Sequence, residues 1–157
     1  MGLCGVGLEP CGAWPELSGT PLRSAFVRHN ATVELVEQVG SDPREVSRVR
    51  HAVTAALGVW GVPSDDQDVV TLLTSELVTN AIRHGEPPVC LRAALEDSAV
   101  TVSVDDGSVL APVPVDVTTW DASGGRGLHL VESLSDRWGV LINGVGKRVW
   151  FQVRLRV

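Results

Sequence analysis

The stretch SELVTNAIRHG, residues 75–85, has the pattern of a helix with polar residues spaced four positions apart. Glu76, Asn80 and His84 recur at this interval, which places them on one helical face. At about 100° per residue, the same face carries the apolar stripe of the helix. That stripe consists of Val69, Leu72, Leu73, Leu77 and Ala81. We therefore predict that the three polar side chains point into the fold and not into solvent.

A carboxylate and an amide on an apolar stripe need an explanation, because burying a polar group without a partner is unfavourable. In one interpretation, a neighbouring strand or a polar core cavity satisfies Glu76 and Asn80, and both are structural. In the other, they form the floor of a binding pocket, with Glu76 as a base and Asn80 as a ligand for a metal or a phosphate. An amide oxygen suits Mg²⁺, a hard cation that prefers oxygen ligands.

Composition restricts the class of protein. A chain of 157 residues is sufficient for a single domain with a substantial core. Its net charge of −6 argues against nucleic acid or an anionic membrane as a partner, because both favour basic surfaces. Three cysteines without metal-ligand spacing predict neither a disulfide framework nor a zinc site. No apolar run reaches transmembrane length and no basic n-region precedes one, so we expect a cytoplasmic protein.

Sequence signals divide the chain into a leader and one folded domain. Residues 1–24 are rich in glycine and proline and lack periodicity, so we expect a disordered leader, with the domain over residues 25–157. The predicted element order in the domain is β-α-α-β-β-loop-α-β-β, in which the long loop covers residues 108–124. This order predicts an α+β two-layer sandwich, with a mostly antiparallel mixed sheet covered on one face by helices.

Capping residues predict the helix boundaries. Asp42 is the expected cap of the first helix, and Glu45 completes its capping box. The second helix is expected to be capped by Ser64, with Gln67 closing the box, and to end at Gly85. The other predicted elements are a strand within residues 31–40, strands at 89–95 and 99–105, a helix at 127–139, and a closing hairpin from strands at 139–143 and 147–157.

Two further motifs carry chemistry. VDDGS, residues 104–108, ends a predicted strand, so Asp105 and Gly107 emerge where the sheet stops; the same residue types also form ordinary turns. SGGRGLHLV, residues 123–131, places glycines directly before a helix. Bare backbone N–H groups at a helix N-terminus can hold a phosphate, whereas the alternative is a hinge before a helix.

Taken together and in order, these motifs resemble the Bergerat ATP-binding fold, the superfamily of gyrase, the heat-shock chaperone, histidine kinases and the mismatch-repair ATPase. The ordered set is E-x-x-x-N-A-x-x-H, D-x-G, a loop, G-x-G-L and a closing G-K-x-V-W-F strand. Within the superfamily, the segments SELVTNAIRHG, GGRGLHLVESLSDRWGV and GKRVWF are similar to the actinobacterial anti-sigma-factor serine kinase-like proteins. The resemblance covers about residues 30–157.

The resemblance implies a role for each motif residue. Asn80 corresponds to the asparagine that binds Mg²⁺, and Glu76 to the general base of the serine kinases. Asp105 corresponds to the aspartate that accepts a hydrogen bond from the adenine amino group, with Gly107 against the ring. Residues 108–124 resemble the ATP lid. The remaining predicted nucleotide contacts are His84, Gly125, Arg126, Gly127 and Leu128.

The function implied by the resemblance is that of an anti-sigma-factor serine/threonine kinase, with ATP and Mg²⁺ as cofactors. Its expected partners are an anti-sigma antagonist protein or a sigma factor, and we expect a homodimer. Val109 and His129 stand where the family pattern has glycines. A non-catalytic nucleotide-binding module that sequesters a partner protein therefore stays open as an alternative, as does an ATPase subunit of a larger machine.

Overall fold

Residues 24–29, 32–110 and 126–156 are described by the computed structural model. They form an α+β sandwich in the order β1-β2-α1-α2-β3-β4-α3-β5-β6. The strands are β1 (Ser24–His29), β2 (Thr32–Val39), β3 (Val89–Glu96), β4 (Ala99–Asp106), β5 (Arg137–Asn143) and β6 (Gly146–Arg154), and the helices are α1 (Glu45–Val59), α2 (Ser64–His84) and α3 (Arg126–Leu134). The predicted fold class is confirmed.

Two predicted segments fall largely outside this part of the chain. The predicted leader, residues 1–24, lies outside the described residues except for Ser24, which begins β1. Strand β1 was not predicted from the sequence. The predicted loop at residues 108–124 lies outside the described residues from residue 111 onward.

The six described strands form one sheet in the order β1-β2-β3-β4-β6-β5. Every described pair of neighbours is antiparallel, so the predicted antiparallel character is confirmed, and no parallel pair occurs among these strands. The helices pack on one face, with α2 against β3, β4 and β6, α1 against β2, and α3 against β5. None of the described helices is long and apolar enough to cross a membrane.

Strand β4 lies at the centre of this arrangement and shows the two faces of the sheet. Successive side chains of a strand point to opposite faces. Val100, Val102 and Val104 are buried in the core shared with the helices. Thr101, between them, points to the other face, where its hydroxyl accepts a hydrogen bond from Gln152 at 3.1 Å. This alternation decides which face each polar residue at the end of β4 occupies.

The start of α1 differs from the predicted capping box. Asp42 provides no side-chain cap to the helix, because its carboxylate accepts the backbone N–H of Arg44 at 2.8 Å, two residues on. Glu45 does not reach back to Asp42 either. Its carboxylate accepts hydrogen bonds from the side chain of Arg48 and from the backbone N–H of Gly40, and these contacts lower the pKa of Glu45.

The second capping box is also wrong, although the predicted end of α2 is confirmed. Ser64 is the first helical residue and gives no side-chain cap. The side-chain N–H of Gln67 instead donates to the carbonyl oxygen of Val62 at 2.7 Å. This contact ties the first turn of α2 to the segment that precedes it. Gly85 is the C-cap, and its N–H donates to the carbonyl oxygen of Ala81 at 2.9 Å.

Helix α3 is shorter than predicted. It ends at Leu134, because the backbone N–H of Asp136 donates to the carbonyl oxygen of Gln152 and so draws the chain onto β6. The predicted closing hairpin is confirmed. The Asn143 side chain accepts the backbone N–H groups of Val145 and Gly146 at its turn.

The cysteines depart from the expectation that was drawn from their number. Cys90 lies in β3 with 3% of its surface exposed and is disulfide-bonded. Its partner lies outside the described residues. An odd number of cysteines argues against a complete framework of bridges, yet three cysteines leave room for one bridge, which the spacing rule did not anticipate.

Candidate functional site

The first turn of α3 lies against the middle of α2 at Gly127. A Cβ atom added to Gly127 would lie 2.9 Å from Oε2 of Glu76 and 3.0 Å from Nδ2 of Asn80. Both side chains are half-buried. The first N–H groups of a helix have no partner within the helix, so these donors, a carboxylate and an amide converge on one corner. We call Glu76, Asn80 and Gly127 the α2–α3 corner.

The buried face of α2 lies to one side of the predicted stripe. Its buried side chains are Asp66, Val70, Leu73, Thr74, Leu77, Val78 and Ala81, whereas Leu72 is 42% exposed. Glu76 and Asn80 therefore flank the apolar stripe instead of lying within it. The wheel misplaced the stripe because α2 packs against both α1 and the sheet, which moves its burial toward Val70 and Val78. Half-burial at the edge leaves both polar groups accessible to a ligand.

Three other predicted contacts, His84, Arg126 and Leu128, lie on the same two helices. His84 is the last residue of α2 and is exposed, so the helix does not carry it into the corner. Leu128 is half-buried in α3. Arg126 begins α3, but its side chain is not among those described. Gly125 lies outside the described residues.

Asp105, the predicted adenine contact, faces away from the helices. It lies between Val104 and Asp106 on β4, and alternation places it on the face that no described helix covers. Arg148 on β6 holds its carboxylate with two hydrogen bonds, from Nε to Oδ1 at 2.6 Å and from Nη2 to Oδ2 at 2.7 Å. Asp105 is therefore placed for an ion pair within the sheet, and this geometry does not fit the predicted role.

Asp106, one residue further, faces α2. A Cβ atom added to Gly85, at the C-cap of α2, would lie 2.7 Å from Cγ of Asp106. Oδ1 of Asp106 accepts the backbone N–H of Ser108 at 2.8 Å, and Oδ2 lies 3.5 Å from Nζ of Lys147. Asp106 was not predicted as a site residue, because the D-x-G motif points to Asp105. The valines at alternate positions of β4 predict that Asp106, and not Asp105, lies on the face covered by the helices.

Gly107 allows the end of β4 to approach the segment that follows α2. Its N–H donates to the carbonyl oxygen of Glu86 at 2.6 Å, and an added Cβ atom would lie 2.8 Å from the carbonyl oxygen of Pro87. Any larger residue would separate these two backbones. Within the described residues, the small size of Gly107 therefore serves the packing of the protein itself.

The donor set at the α2–α3 corner fits a magnesium nucleotide. Mg²⁺ in proteins is commonly held by one or two side-chain oxygens together with phosphate oxygens and water. Asn80 carries one amide oxygen, although its Nδ2 is the atom that faces Gly127, and Glu76 carries a carboxylate whose Oε2 faces the same glycine. The absence of a side chain at Gly127 keeps the start of α3 close to both groups, and helix N-termini favour phosphate.

A separate cavity of about 370 Å³ lies at the other end of α2. Its wall includes Asp66, Ser135, Asp136 and Arg156. Asp66 is only 1% exposed and accepts the backbone N–H of Arg156 at 2.9 Å, which accounts for its burial. Among the described residues that line this cavity, none is a predicted site residue.

Comparisons with known proteins agree with this architecture. The family model of the histidine kinase-like ATPase domain matches residues 39–153. A solved structure of the RsbU and RsbW domains of Rv1364c from Mycobacterium tuberculosis is 23% identical, with a TM-score of 0.61 over 78% of this chain. The histidine kinase domain of the blue-light activated histidine kinase from Erythrobacter litoralis EL346 is 23% identical, with a TM-score of 0.49 over 72% of this chain.

The chain spans 32% of the length of the first of these structures and 60% of the second. At 23% identity, the first of these structures shows similarity of fold alone. The comparison with curated proteins gave no match. The family model covers well over half of the chain and includes α1, α2, α3 and β3 to β6. The chain therefore belongs to the histidine kinase-like ATPase family.

Proposed function

We propose that this protein is an ATP-dependent protein serine/threonine kinase of the anti-sigma-factor type. The observation that carries the proposal is the α2–α3 corner, where Glu76 and Asn80 meet the first turn of α3 at Gly127. A base, a magnesium ligand and a phosphate-binding helix N-terminus are the groups that phosphoryl transfer requires. Membership of the histidine kinase-like ATPase family supports ATP as the nucleotide.

In this proposal, the nucleotide extends from the corner toward the end of β4. Asn80 holds Mg²⁺, and the N–H groups at the start of α3, with Gly125, Arg126 and Leu128, hold the phosphates. The adenine amino group donates to Asp106 and not to Asp105, because Asp106 is the carboxylate on the side of α2. His84 is exposed and has no part in this arrangement.

The chemistry requires few groups from the protein. Bound ATP supplies the γ-phosphoryl group, and its Mg²⁺ neutralises part of the phosphate charge. Glu76 accepts the proton of a serine or threonine hydroxyl of the protein substrate as the hydroxyl oxygen forms its bond to the γ-phosphorus. The bond between the γ-phosphorus and the β,γ-bridging oxygen breaks at the same time, and ADP leaves. Asn80, one turn later on α2, keeps the metal beside the same reacting group. The N–H groups of α3 stabilise the charge that develops on the phosphate oxygens.

The proposed protein substrate is an antagonist of an anti-sigma factor, and the proposed regulatory partner is a sigma factor. A relative in fold contains an RsbW domain, which supports a partner-switching role of this kind. We also propose that the protein acts as a homodimer. The alternative is a nucleotide-binding module that sequesters its partner without transfer; Val109 and His129, both exposed, are the departures from the glycine pattern that favour it.

The substitution Glu76→Gln tests the kinase against the module. It keeps the size of the side chain and removes its ability to accept the proton. We expect nearly unchanged ATP affinity by calorimetry and phosphate transfer at least ~100-fold slower, the usual contribution of a general base. Transfer is measured from γ-labelled ATP to candidate antagonist proteins encoded nearby. Glu132→Gln, at an exposed glutamate of α3, is the matched control and should leave transfer unchanged.

Three results would contradict parts of this proposal. If the wild-type protein binds ATP and transfers no phosphate to any candidate, the sequestering module replaces the kinase. If Glu76→Gln lowers the melting temperature but leaves binding and transfer intact, Glu76 is a structural carboxylate. If ATP does not bind at all, the nucleotide site itself is wrong.

A further inference from the structure

Lys147 is an unusual residue in this chain. It is the one lysine among twelve arginines, and only 6% of its surface is exposed. An ammonium group is compact and strongly hydrated, and lysine is almost never fully buried unless it is paired. Its burial therefore requires compensation from neighbouring groups.

Within the described residues, the positive charge of Lys147 is only partly compensated by neighbouring groups. In this part of the chain, Lys147 forms an ion pair with Asp106, whose Oδ2 lies 3.5 Å from Nζ. This distance is longer than the usual N–H···O distance of about 2.9–3.0 Å. The other oxygen of Asp106 already accepts the N–H of Ser108. An ammonium group has three N–H donors, so one long ion pair leaves donor capacity for a ligand.

The location of the pair identifies which part of a nucleotide it would meet. Lys147 and Asp106 are register partners on β6 and β4, beside the C-cap of α2 at Gly85. The corner residues Asn80 and Glu76 precede Gly85 by five and nine positions, which is roughly 8–14 Å along a helix. If the corner holds the terminal phosphates, the Asp106–Lys147 pair lies at the end where the base belongs.

We infer that Lys147 recognises the adenine base by donating a hydrogen bond to its ring nitrogen N1. Asp106 accepts a hydrogen bond from the neighbouring N6 amino group. This inference rests on the proposed ATP-binding function. N1 is an acceptor beside a donor, and Lys147 and Asp106 present a donor beside an acceptor at 3.5 Å. A site that hydrogen-bonds a ligand group discriminates strongly against analogues that lack the group.

The test compares ATP with 1-deaza-ATP, which replaces N1 by a carbon, using calorimetry on the full chain. We expect the wild-type protein to bind ATP at least ~10-fold more tightly, as for the loss of one hydrogen bond to a charged group. The analogue 3-deaza-ATP is altered on the other side of the ring and should bind within about threefold of ATP. In Lys147→Met, the preference for ATP over 1-deaza-ATP should disappear.

Arg154→Met is the matched control, because it removes a cation from the same strand at an exposed position and should preserve the preference. Equal wild-type affinity for ATP and 1-deaza-ATP would overturn the inference and leave the proposed ATP-binding function intact. This comparison stands even if Lys147→Met does not fold. A preference that persists in Lys147→Met, or tighter binding of GTP than of ATP, would also overturn it. Failure of the wild-type protein to bind ATP would instead refute the proposed function on which it rests.

Discussion

Asp105 and Asp106 are adjacent in sequence and lie on opposite faces of β4. Both are buried, with 7% and 4% of their surfaces exposed, and each is paired with a cation of β6. Arg148 binds Asp105 through two hydrogen bonds of 2.6 and 2.7 Å. Lys147 approaches Asp106 only to 3.5 Å. One residue of strand therefore separates an ion pair with good geometry from one with poor geometry.

This difference in geometry distinguishes a structural carboxylate from one that can bind a ligand. A bidentate guanidinium satisfies both oxygens of Asp105 in a fixed geometry, so that carboxylate has little capacity left for a ligand. Each oxygen of Asp106 also faces one donor, but the contact to Lys147 is long, and the ammonium group keeps N–H donors for a ligand. The second pair also lies on the face of α2, which carries Glu76 and Asn80. Asp105 is therefore interpreted as structural and Asp106 as ligand-directed.

Arg148→Met removes the cation from the Asp105 pair and should cost more free energy than any other change considered below. This change leaves a buried carboxylate without its cation, and breaking a buried pair typically costs 3–5 kcal/mol. Because the Arg148 side chain is 21% exposed, we expect about 3 kcal/mol of lost unfolding free energy, measured by urea denaturation. Affinity for ATP should be retained in the folded protein.

Arg137→Met is the control for Arg148→Met, since Arg137 is an exposed arginine of β5 and should change stability by less than about 0.5 kcal/mol. If Arg148→Met loses ATP affinity while its fold is intact by circular dichroism, the nucleotide binds on the face of Asp105. Our proposal, which puts it on the face of α2, would then be wrong.

The second effect is on binding and compares Asp106→Asn with Asp105→Asn. An amide at position 106 can turn a donor toward the adenine amino group, so a charge-assisted hydrogen bond is lost. We expect ATP affinity to fall by about 1.5–3 kcal/mol, or roughly 10- to 150-fold, by calorimetry. Asp105→Asn should lower the melting temperature and leave ATP affinity near that of the wild type. The opposite ranking of the two affinities would restore Asp105 as the adenine contact.

These two aspartates also show what the sequence predicts well and where it stops. The motif set identifies the family and the two-layer fold, because the order of elements and the apolar periodicity are properties of the chain itself. The D-x-G motif chooses Asp105 over Asp106 by its spacing from Gly107 alone and does not say which face of the strand each carboxylate occupies. The face on which each one lies follows from the alternation of β4, because the valines at 100, 102 and 104 are buried. The cation that each one meets depends on the register of β4 with β6, which is a tertiary property.

Other corrections have the same physical origin. The wheel placed Glu76 and Asn80 within the apolar stripe, because a wheel assumes one buried direction and α2 packs against both α1 and the sheet. The capping boxes were wrong because Asp42 bonds Arg44 and Gln67 bonds the Val62 carbonyl, which are local alternatives with similar sequence signals. The Lys147–Asp106 pair joins strands 41 residues apart in sequence, from position 106 to position 147, and no local pattern identifies it.

Two glycines extend the comparison from carboxylates to backbone packing, with an effect smaller than those above. Gly127→Ala places a methyl group 2.9 Å from the Glu76 carboxylate and 3.0 Å from the Asn80 amide, and both are ends of side chains that can move. The fold should therefore tolerate the change, with a melting temperature close to that of the wild type. The displaced groups are the proposed base and magnesium ligand. We expect a loss of about 1 kcal/mol in Mg²⁺-dependent ATP affinity, roughly fivefold in Kd.

Gly58→Ala is the matched glycine, because an added Cβ atom at this position of α1 meets no other atom within 4 Å. Alanine has the higher helix propensity by about 1 kcal/mol, so Gly58→Ala should raise the free energy of unfolding and leave nucleotide binding unchanged. Isothermal titrations with and without Mg²⁺ separate the two variants, since only Gly127→Ala should reduce the gain in affinity that Mg²⁺ provides. If both variants bind Mg²⁺·ATP as the wild type does, the contact between α3 and α2 at Gly127 is only a packing contact. The proposed site would then have to be built without this corner.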